Sequence, residues 1–229
     1  MIICGLQKMT LLDYPGRVAC TVFLGGCNFR CPYCHNYEIV SGPLTPEMTV
    51  DDFLRFLDKR HGLLDGVAVT GGEPCLQPDL PDLLETIQKA GFPVKLDTNG
   101  SNPAMLKRLL DGGLVNYVAM DIKNSPEKYA QTAGLARVDL APIRESVRLL
   151  MTSGIEYEFR TTVVDELHTA KDIEAIGQWI SGASRYCLQP FTDRETVPFE
   201  GFHAPAPERL EEYLGIIRPY VAQAAVRGA

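Results

Sequence analysis

Apolar residues along this chain fall into short continuous runs, separated by longer segments in which apolar positions recur every three or four residues. The runs are rich in Val, Leu and Tyr, and they cover residues 18–24, 67–70, 94–98, 115–121, 157–164 and 186–189. Runs of this length and composition are typical of parallel strands that are buried on both faces. The pattern therefore predicts six buried, parallel strands.

The segments between these runs have the helical period and begin with residues that start helices. The predicted starts are Thr49, Asp79, Asn102, Asp139, Thr169 and Pro207. We predict that the last helix covers about residues 206–226. Strands that are each followed by a helix predict an α/β fold, whose parallel sheet is either open or partly closed as a barrel. In both arrangements, functional residues collect at the C-terminal ends of the strands.

Composition and charge limit the classes of function. The chain has 229 residues, of which 45% are apolar and 22% charged, with a net charge of −7. We predict one domain over residues 1–229 with a core at about residues 16–192. The start of the chain lacks the pattern of a signal peptide, and no apolar run is long enough to span a membrane. These two features lead us to expect a cytoplasmic protein that does not bind a membrane. The negative charge and the absence of a block of Lys and Arg lead us to expect that it does not bind nucleic acid.

The most informative chemistry lies directly after the first predicted strand. Gly25 and Gly26 precede Cys27, Cys31 and Cys34, which are spaced by three and then two residues. Seven cysteines are an odd number, and in a reducing cytosol cysteines are more often metal ligands or reactive thiols than disulfides. Four interpretations of this segment are open: a redox dithiol, a c-type haem attachment site, a structural zinc site and an iron–sulfur cluster site.

The alternatives to the cluster each leave something unexplained. A dithiol protein would need its cis-proline segment soon after the first helix, whereas the matching residues here are 196–198. Haem attachment would need export and a mostly helical fold. Zinc takes four closed ligands, and His35 is poorly placed to join the three cysteines, although Cys75 or Cys187 could. Three thiolates suit a cubane 4Fe–4S cluster whose fourth iron is left free for another ligand.

Two motifs together resemble the radical S-adenosylmethionine (SAM) superfamily. The CxxxCxxC segment follows the first strand, and residues 70–74, with the sequence TGGEP, end the second. The resemblance implies a partial (β/α)6 barrel of parallel strands with one 4Fe–4S cluster bound by Cys27, Cys31 and Cys34. It also implies that SAM binds the fourth iron and is contacted by Tyr33, Gly71, Gly72 and Glu73.

A closer resemblance covers almost the whole chain. Residues 5–17 are similar to the opening of anaerobic ribonucleoside-triphosphate reductase activating proteins, members of the glycyl-radical enzyme activase family. Four later strand ends, residues 96–100, 120–123, 158–164 and 188–191, are similar to theirs as well. Some activases carry extra cysteines between the first motif and GGEP. This chain has none there, so we predict a single cluster.

The resemblance assigns further roles to polar residues at the strand ends. Asp97, Lys123 and Arg160 would contact the ribose and carboxylate of SAM, while Asp97, Thr98 and Asp121 would surround a monovalent cation. The charges suit this, because a carboxylate held beside an anionic cluster needs neighbouring positive charge.

The activity implied by the resemblance is radical generation. A flavodoxin- or ferredoxin-type donor would reduce the cluster, and reductive cleavage of SAM would give a 5′-deoxyadenosyl radical. That radical would take a hydrogen atom from a glycine of the partner, the anaerobic ribonucleotide reductase. The alternatives are another glycyl-radical enzyme or a small-molecule substrate.

Overall fold

The computed structural model describes residues 1–227, which are arranged around one eight-stranded sheet. The strands are β1 (Ile3–Thr10), β2 (Ala19–Leu24), β3 (Gly66–Gly71), β4 (Val94–Thr98), β5 (Tyr117–Asp121), β6 (Glu156–Val163), β7 (Ala183–Pro190) and β8 (Val221–Val226). They lie in chain order, with β1 antiparallel to β2 and all later neighbours parallel. Within the described residues the sheet is not closed, since β1 and β8 each pair on one side. The predicted α/β fold is confirmed.

The helices begin close to the predicted positions. They are α1 (Val50–Asp58), α2 (Leu80–Lys89), α3 (Pro103–Asp111), α4 (Tyr129–Thr132), α5 (Ala141–Thr152), α6 (Ala170–Trp179) and α7 (Pro207–Ile217). Thr49 and Thr169 form capping boxes, and Asn102 caps α3 through the amide of Met105. Asp79 differs, because its carboxylate accepts a hydrogen bond from the N-terminal ammonium of Met1 at 3.0 Å and does not cap α2.

The direction of the chain places the helices on one side of the sheet. Each parallel strand lies beside the one before it, and right-handed crossovers that never reverse direction put their helices on the same face. We call this the outer face and the opposite one the inner face. Outer-face side chains form the main apolar core with the helices, for example Val69, Leu96, Met120, Phe159 and Leu188. Alternate residues of the same strands point to the inner face.

The prediction for the C-terminal helix was wrong beyond its third turn. We expected a helix over about residues 206–226, but α7 ends at Ile217 and residues Val221–Val226 form β8. The sequence VAQAAV is rich in alanine, which favours helices locally. Pairing with β7 overrides this preference, since Ala183 to Leu188 align with Val221 to Val226.

Strand β1 was not predicted from the sequence either. Its residues show no clear alternation, and its burial depends on pairing with β2. The described part of the chain, residues 1–227, contains no helix with the length and apolar character needed to cross a membrane.

Candidate active site

A cavity of about 210 Å³ lies at the C-terminal ends of β2 to β6. Of the residues that the sequence singled out, the following line it: Cys27, Cys31, Tyr33, Cys34, Gly71, Gly72, Asp97, Thr98, Asp121, Lys123 and Arg160. The structure thus brings together the cysteine segment and the polar ends of three later strands. Glu73 is the predicted site residue that does not line the cavity.

Close backbone packing joins the two glycine-containing turns at the cavity wall. Gly72 donates its amide hydrogen to the carbonyl of Leu24 at 2.8 Å, and Glu73 donates to the carbonyl of Gly26 at 2.8 Å. A Cβ on Gly72 would lie 2.0 Å from the Gly26 oxygen, and one on Gly71, where φ is +120°, would lie 2.3 Å from the Leu24 oxygen. Only glycine fits at these positions, which explains both residues of the GG pair.

The three cysteines are free thiols that are partly or fully buried. Burial raises the pKa of Cys27 to about 11 and also raises the pKa of Cys31 and of Cys34. The charge of Lys123 acts in the opposite direction on all three. Iron must therefore displace protons from these thiols when it binds, as is general for thiolate ligands.

Five charged residues form a continuous series of ion pairs from behind the cavity wall to the cavity. Lys95 Nζ lies 2.5 Å from Asp97 Oδ1, and Arg160 Nη2 lies 3.0 Å from Asp97 Oδ2. Arg160 Nε lies 2.5 Å from Asp121 Oδ1, and Lys123 Nζ lies 2.8 Å from Asp121 Oδ2. We call this series the charge chain. Burial alone would raise the pKa of Asp121, but Arg160 and Lys123 outweigh it and hold that pKa well below its usual range.

Glu73 is turned away from the cavity. Its carboxylate is 1% exposed and accepts hydrogen bonds from the Cys75 amide at 3.0 Å, the Thr98 hydroxyl at 2.7 Å and the Asn99 amide at 2.6 Å. Burial raises the pKa of Glu73 even though these bonds favour the charged form. In this structure Glu73 fastens the turn after β3 to the end of β4, and its contact with SAM stays a prediction.

The predicted cation site also stays a prediction. Both oxygens of Asp97 and both oxygens of Asp121 already contact cationic side chains of the charge chain. The Thr98 hydroxyl donates to Glu73. A monovalent cation would have to share these oxygen atoms with Arg160 and its neighbours.

Two asparagines at the cavity were not identified from the sequence. Asn36 Nδ2 donates to the carbonyl of Gly71 at 3.0 Å and so joins the cysteine segment to the GG turn. Asn99 Nδ2 lies 3.8 Å from Cys27 Sγ and makes a 2.9 Å hydrogen bond to Asn28. The sequence could have indicated both residues, because Asn36 follows the cysteine motif closely and Asn99 comes directly after the end of β4.

Aromatic contacts hold the cysteine segment against the segment that follows β7. The His35 ring stacks on Phe191 with centroids 5.6 Å apart, and its Nε2 donates to the Thr192 carbonyl at 2.5 Å. Tyr37 packs edge-on against Phe199 at 6.1 Å. His35 therefore stabilises this segment.

The residues present fit an iron–sulfur cluster. Three free thiols border the cavity, and the buried Tyr33 hydroxyl has no hydrogen-bond partner within residues 1–227. Tyr33 is 4% exposed and is itself one of the residues that line the cavity. Across the same described residues, no three His, Cys, Asp or Glu side chains are gathered as a single metal ion would need. A four-iron cluster is wider than one ion, and its ligands stand further apart.

Comparisons with known proteins agree with this site. The family model of the radical SAM superfamily matches residues 21–180. A Methanocaldococcus jannaschii protein, provisionally named a glycyl-radical enzyme activating enzyme, is 30% identical over 233 residues, which cover 99% of this chain and 95% of that protein. The pyruvate formate-lyase-activating enzyme of Clostridium pasteurianum is 32% identical over 174 residues, covering 73% of this chain and 71% of that enzyme.

A solved structure supports the fold independently. The crystal structure of a domain of the pyruvate-formate lyase-activating enzyme from Bacteroides vulgatus superimposes with a TM-score of 0.59 at 20% identity. It covers 71% of this chain and 99% of that domain. The chain therefore belongs to the radical SAM superfamily and, within it, to the glycyl-radical enzyme activating enzymes. This family membership implies a 4Fe–4S cluster and SAM as cofactors.

Proposed function

We propose that this enzyme activates an anaerobic ribonucleoside-triphosphate reductase by forming a glycyl radical on it. The observation that carries the proposal is the cavity itself, where three free cysteines face the charged ends of β4, β5 and β6. Bound SAM would supply the radical chemistry: one electron from the donor, passed through the cluster, would break its carbon–sulfur bond to give methionine and a 5′-deoxyadenosyl radical, which becomes 5′-deoxyadenosine when it takes a hydrogen atom from a glycine. A flavodoxin- or ferredoxin-type protein is the proposed electron donor.

Each cavity residue has a defined part in this proposal. Cys27, Cys31 and Cys34 hold three irons of one 4Fe–4S cluster. Lys123 and Arg160 bind the SAM carboxylate, because they are the cations of the charge chain that line the cavity. The remaining cofactor contacts are assigned to Tyr33, Gly71, Gly72, Glu73 and Asp97, and the possible cation to Asp97, Thr98 and Asp121.

The choice of partner is supported by a segment whose second half lies at the end of the sheet opposite the cavity. Residues 5–17 carry the resemblance to the reductase activating proteins, and they lead into the opposite end of β2, where Thr10 pairs with Ala19. There, Asp13 accepts a 2.6 Å hydrogen bond from Thr21. SAM binding does not account for a resemblance at this end of the sheet, so we attribute it to the subfamily and its partner.

The cluster assignment is tested by two matched cysteine variants. Cys31 and Cys187 are both buried, with 7% and 8% exposure, but only Cys31 lines the cavity. After anaerobic reconstitution with iron and sulfide, we expect Cys31→Ala to lose dithionite-dependent SAM cleavage and Cys187→Ala to keep it. Wild-type turnover by Cys31→Ala would disprove the cluster assignment.

The partner is tested by electron paramagnetic resonance. The reconstituted enzyme, SAM and a reductant are incubated in parallel with purified anaerobic ribonucleotide reductase and with purified pyruvate formate-lyase. We expect an organic radical signal on the reductase that is absent when SAM is omitted. A signal on pyruvate formate-lyase alone would replace the proposed partner with that enzyme.

A further inference from the structure

Lys95 is a buried lysine that lies outside the cavity. Its side chain is 1% exposed, it does not line the cavity, and its ammonium contacts Asp97 Oδ1 at 2.5 Å. Removing a charge from water costs several kcal/mol, and well-packed apolar residues often replace buried ion pairs without loss of stability. The lysine therefore needs an explanation beyond stability.

The charge balance of the charge chain suggests this explanation. The charge chain contains three cationic side chains and two carboxylates, which leaves one excess positive charge. The cations are Lys95, Arg160 and Lys123, and the carboxylates are Asp97 and Asp121. The neighbouring pair of Glu158 and Arg227 is neutral by itself and does not change the balance.

The contacts show how Lys95 acts at a distance from the cavity. Lys95 occupies one oxygen of Asp97, while Arg160 contacts the other oxygen and also Asp121. Without Lys95, Arg160 and Lys123 would be balanced by two carboxylates. The cavity would then face a neutral group of side chains.

We infer that Lys95 is a positioning residue that, through Asp97 and Arg160, keeps a net positive charge at the cavity and so selects nucleosides bearing an amino-acid carboxylate. This inference deepens the proposed function and rests on SAM binding in the cavity. It assigns no chemical step to Lys95.

Two probes that differ in the amino-acid group test this role. S-adenosylhomocysteine carries the carboxylate, and 5′-methylthioadenosine lacks it. In anaerobic calorimetry with the reconstituted protein, we expect Lys95→Met to weaken S-adenosylhomocysteine binding about tenfold, the size of one interaction with a charged group. Binding of 5′-methylthioadenosine should stay within about twofold of wild type.

A matched variant separates charge balance from a general effect on folding. The double variant Glu158→Gln/Arg227→Met removes both members of a buried, neutral ion pair and so leaves the charge balance unchanged. We expect it to lower the melting temperature without changing the ratio of the two affinities. If Lys95→Met weakens both ligands equally, or only lowers the melting temperature, Lys95 is merely structural and the inference is overturned.

A second substitution keeps the test valid if Lys95→Met does not fold. Lys95→Gln retains a hydrogen-bond donor and removes the charge, and we expect the same selective loss of S-adenosylhomocysteine affinity. Wild-type selectivity in Lys95→Gln would overturn the inference. Ligand binding is measured without any partner protein. A failure to activate the reductase would therefore overturn the proposed partner but leave the binding result for Lys95 unaffected.

Discussion

The outer and inner faces of the same strands are both buried, but they carry different kinds of side chain. In β4 and β6, Leu96 and Phe159 point to the outer face and pack in the apolar core with the helices. Their neighbours Asp97 and Arg160 point to the inner face and form an ion pair. Both faces are removed from water, yet one is stabilised by apolar burial and the other holds charges that are costly to bury. The comparison shows that burial alone does not define a core.

The largest expected effect on stability comes from the outer face. Phe159 is fully buried, so Phe159→Ala should lower the free energy of unfolding by about 3–5 kcal/mol through lost burial and a cavity. Denaturant titration measures this loss. Phe199→Ala is the matched control, since Phe199 is 53% exposed and should change stability much less. If the folded Phe159→Ala protein also bound SAM more weakly, the two faces would be coupled.

The part of the inner face that does not line the cavity should give the next largest effect. Glu158 is 1% exposed and forms a bidentate ion pair with Arg227. Arg227 Nη1 donates to Glu158 Oε1 at 2.7 Å, and Arg227 Nη2 donates to Glu158 Oε2 at 2.5 Å. Glu158→Gln should destabilise the protein by about 1.5–3 kcal/mol, the size of a hydrogen bond to a charged group. A double-mutant cycle with Arg227→Met measures the coupling of the pair, and additive effects would show that the pair contributes nothing.

This pair also predicts a dependence on pH. Burial would raise the pKa of Glu158, but Arg227, Arg160 and Lys95 outweigh it and lower that pKa from its ordinary 4.5. A lowered folded-state pKa contributes stability above the unfolded value, and this stability is lost as the pH falls through the folded value. The stability difference between wild type and Glu158→Gln should therefore be full above pH 4.5 and shrink below it.

The part of the inner face that lines the cavity should affect SAM binding more than it affects stability. Arg160 bridges Asp97 and Asp121 through two different nitrogen atoms, which a lysine cannot reproduce. We expect Arg160→Lys to weaken SAM binding about ten- to hundredfold, equivalent to one or two hydrogen bonds with charged groups. Anaerobic calorimetry measures the affinity. Unchanged affinity would show that the bridge is not needed at the cavity.

The smallest effect should come from an ion pair that belongs to neither face. Lys107 and Asp111 lie one turn apart on α3, with side chains 58% and 64% exposed. Solvent screens such pairs and side-chain entropy opposes them. Lys107→Ala should leave both SAM affinity and the denaturation midpoint unchanged within error. A clear loss would mean that this exposed ion pair contributes to stability despite solvent screening.

Much of this molecule could be predicted from local sequence. Six of the seven parallel strands, the helix starts at Thr49 and Thr169, and the cysteine segment after β2 all depend on residues close together in the chain. Apolar runs, caps and glycine turns express preferences of the backbone within a few residues. The sequence also predicted that the polar residues at the strand ends lie close together, because parallel strands end at one edge of a sheet.

Tertiary structure decided the features that depend on distant partners. Residues Val221–Val226 form a strand because β7 offers a free edge, against the helical preference of alanine. Glu73 faces the end of β4 because the Thr98 hydroxyl and the Asn99 amide donate hydrogen bonds to its carboxylate there. The sequence by itself determined the kinds of elements and the chemistry of the cavity. Only packing decided which face each charge occupies and which partner neutralises it, because electrostatic energy depends on distances that local patterns do not contain.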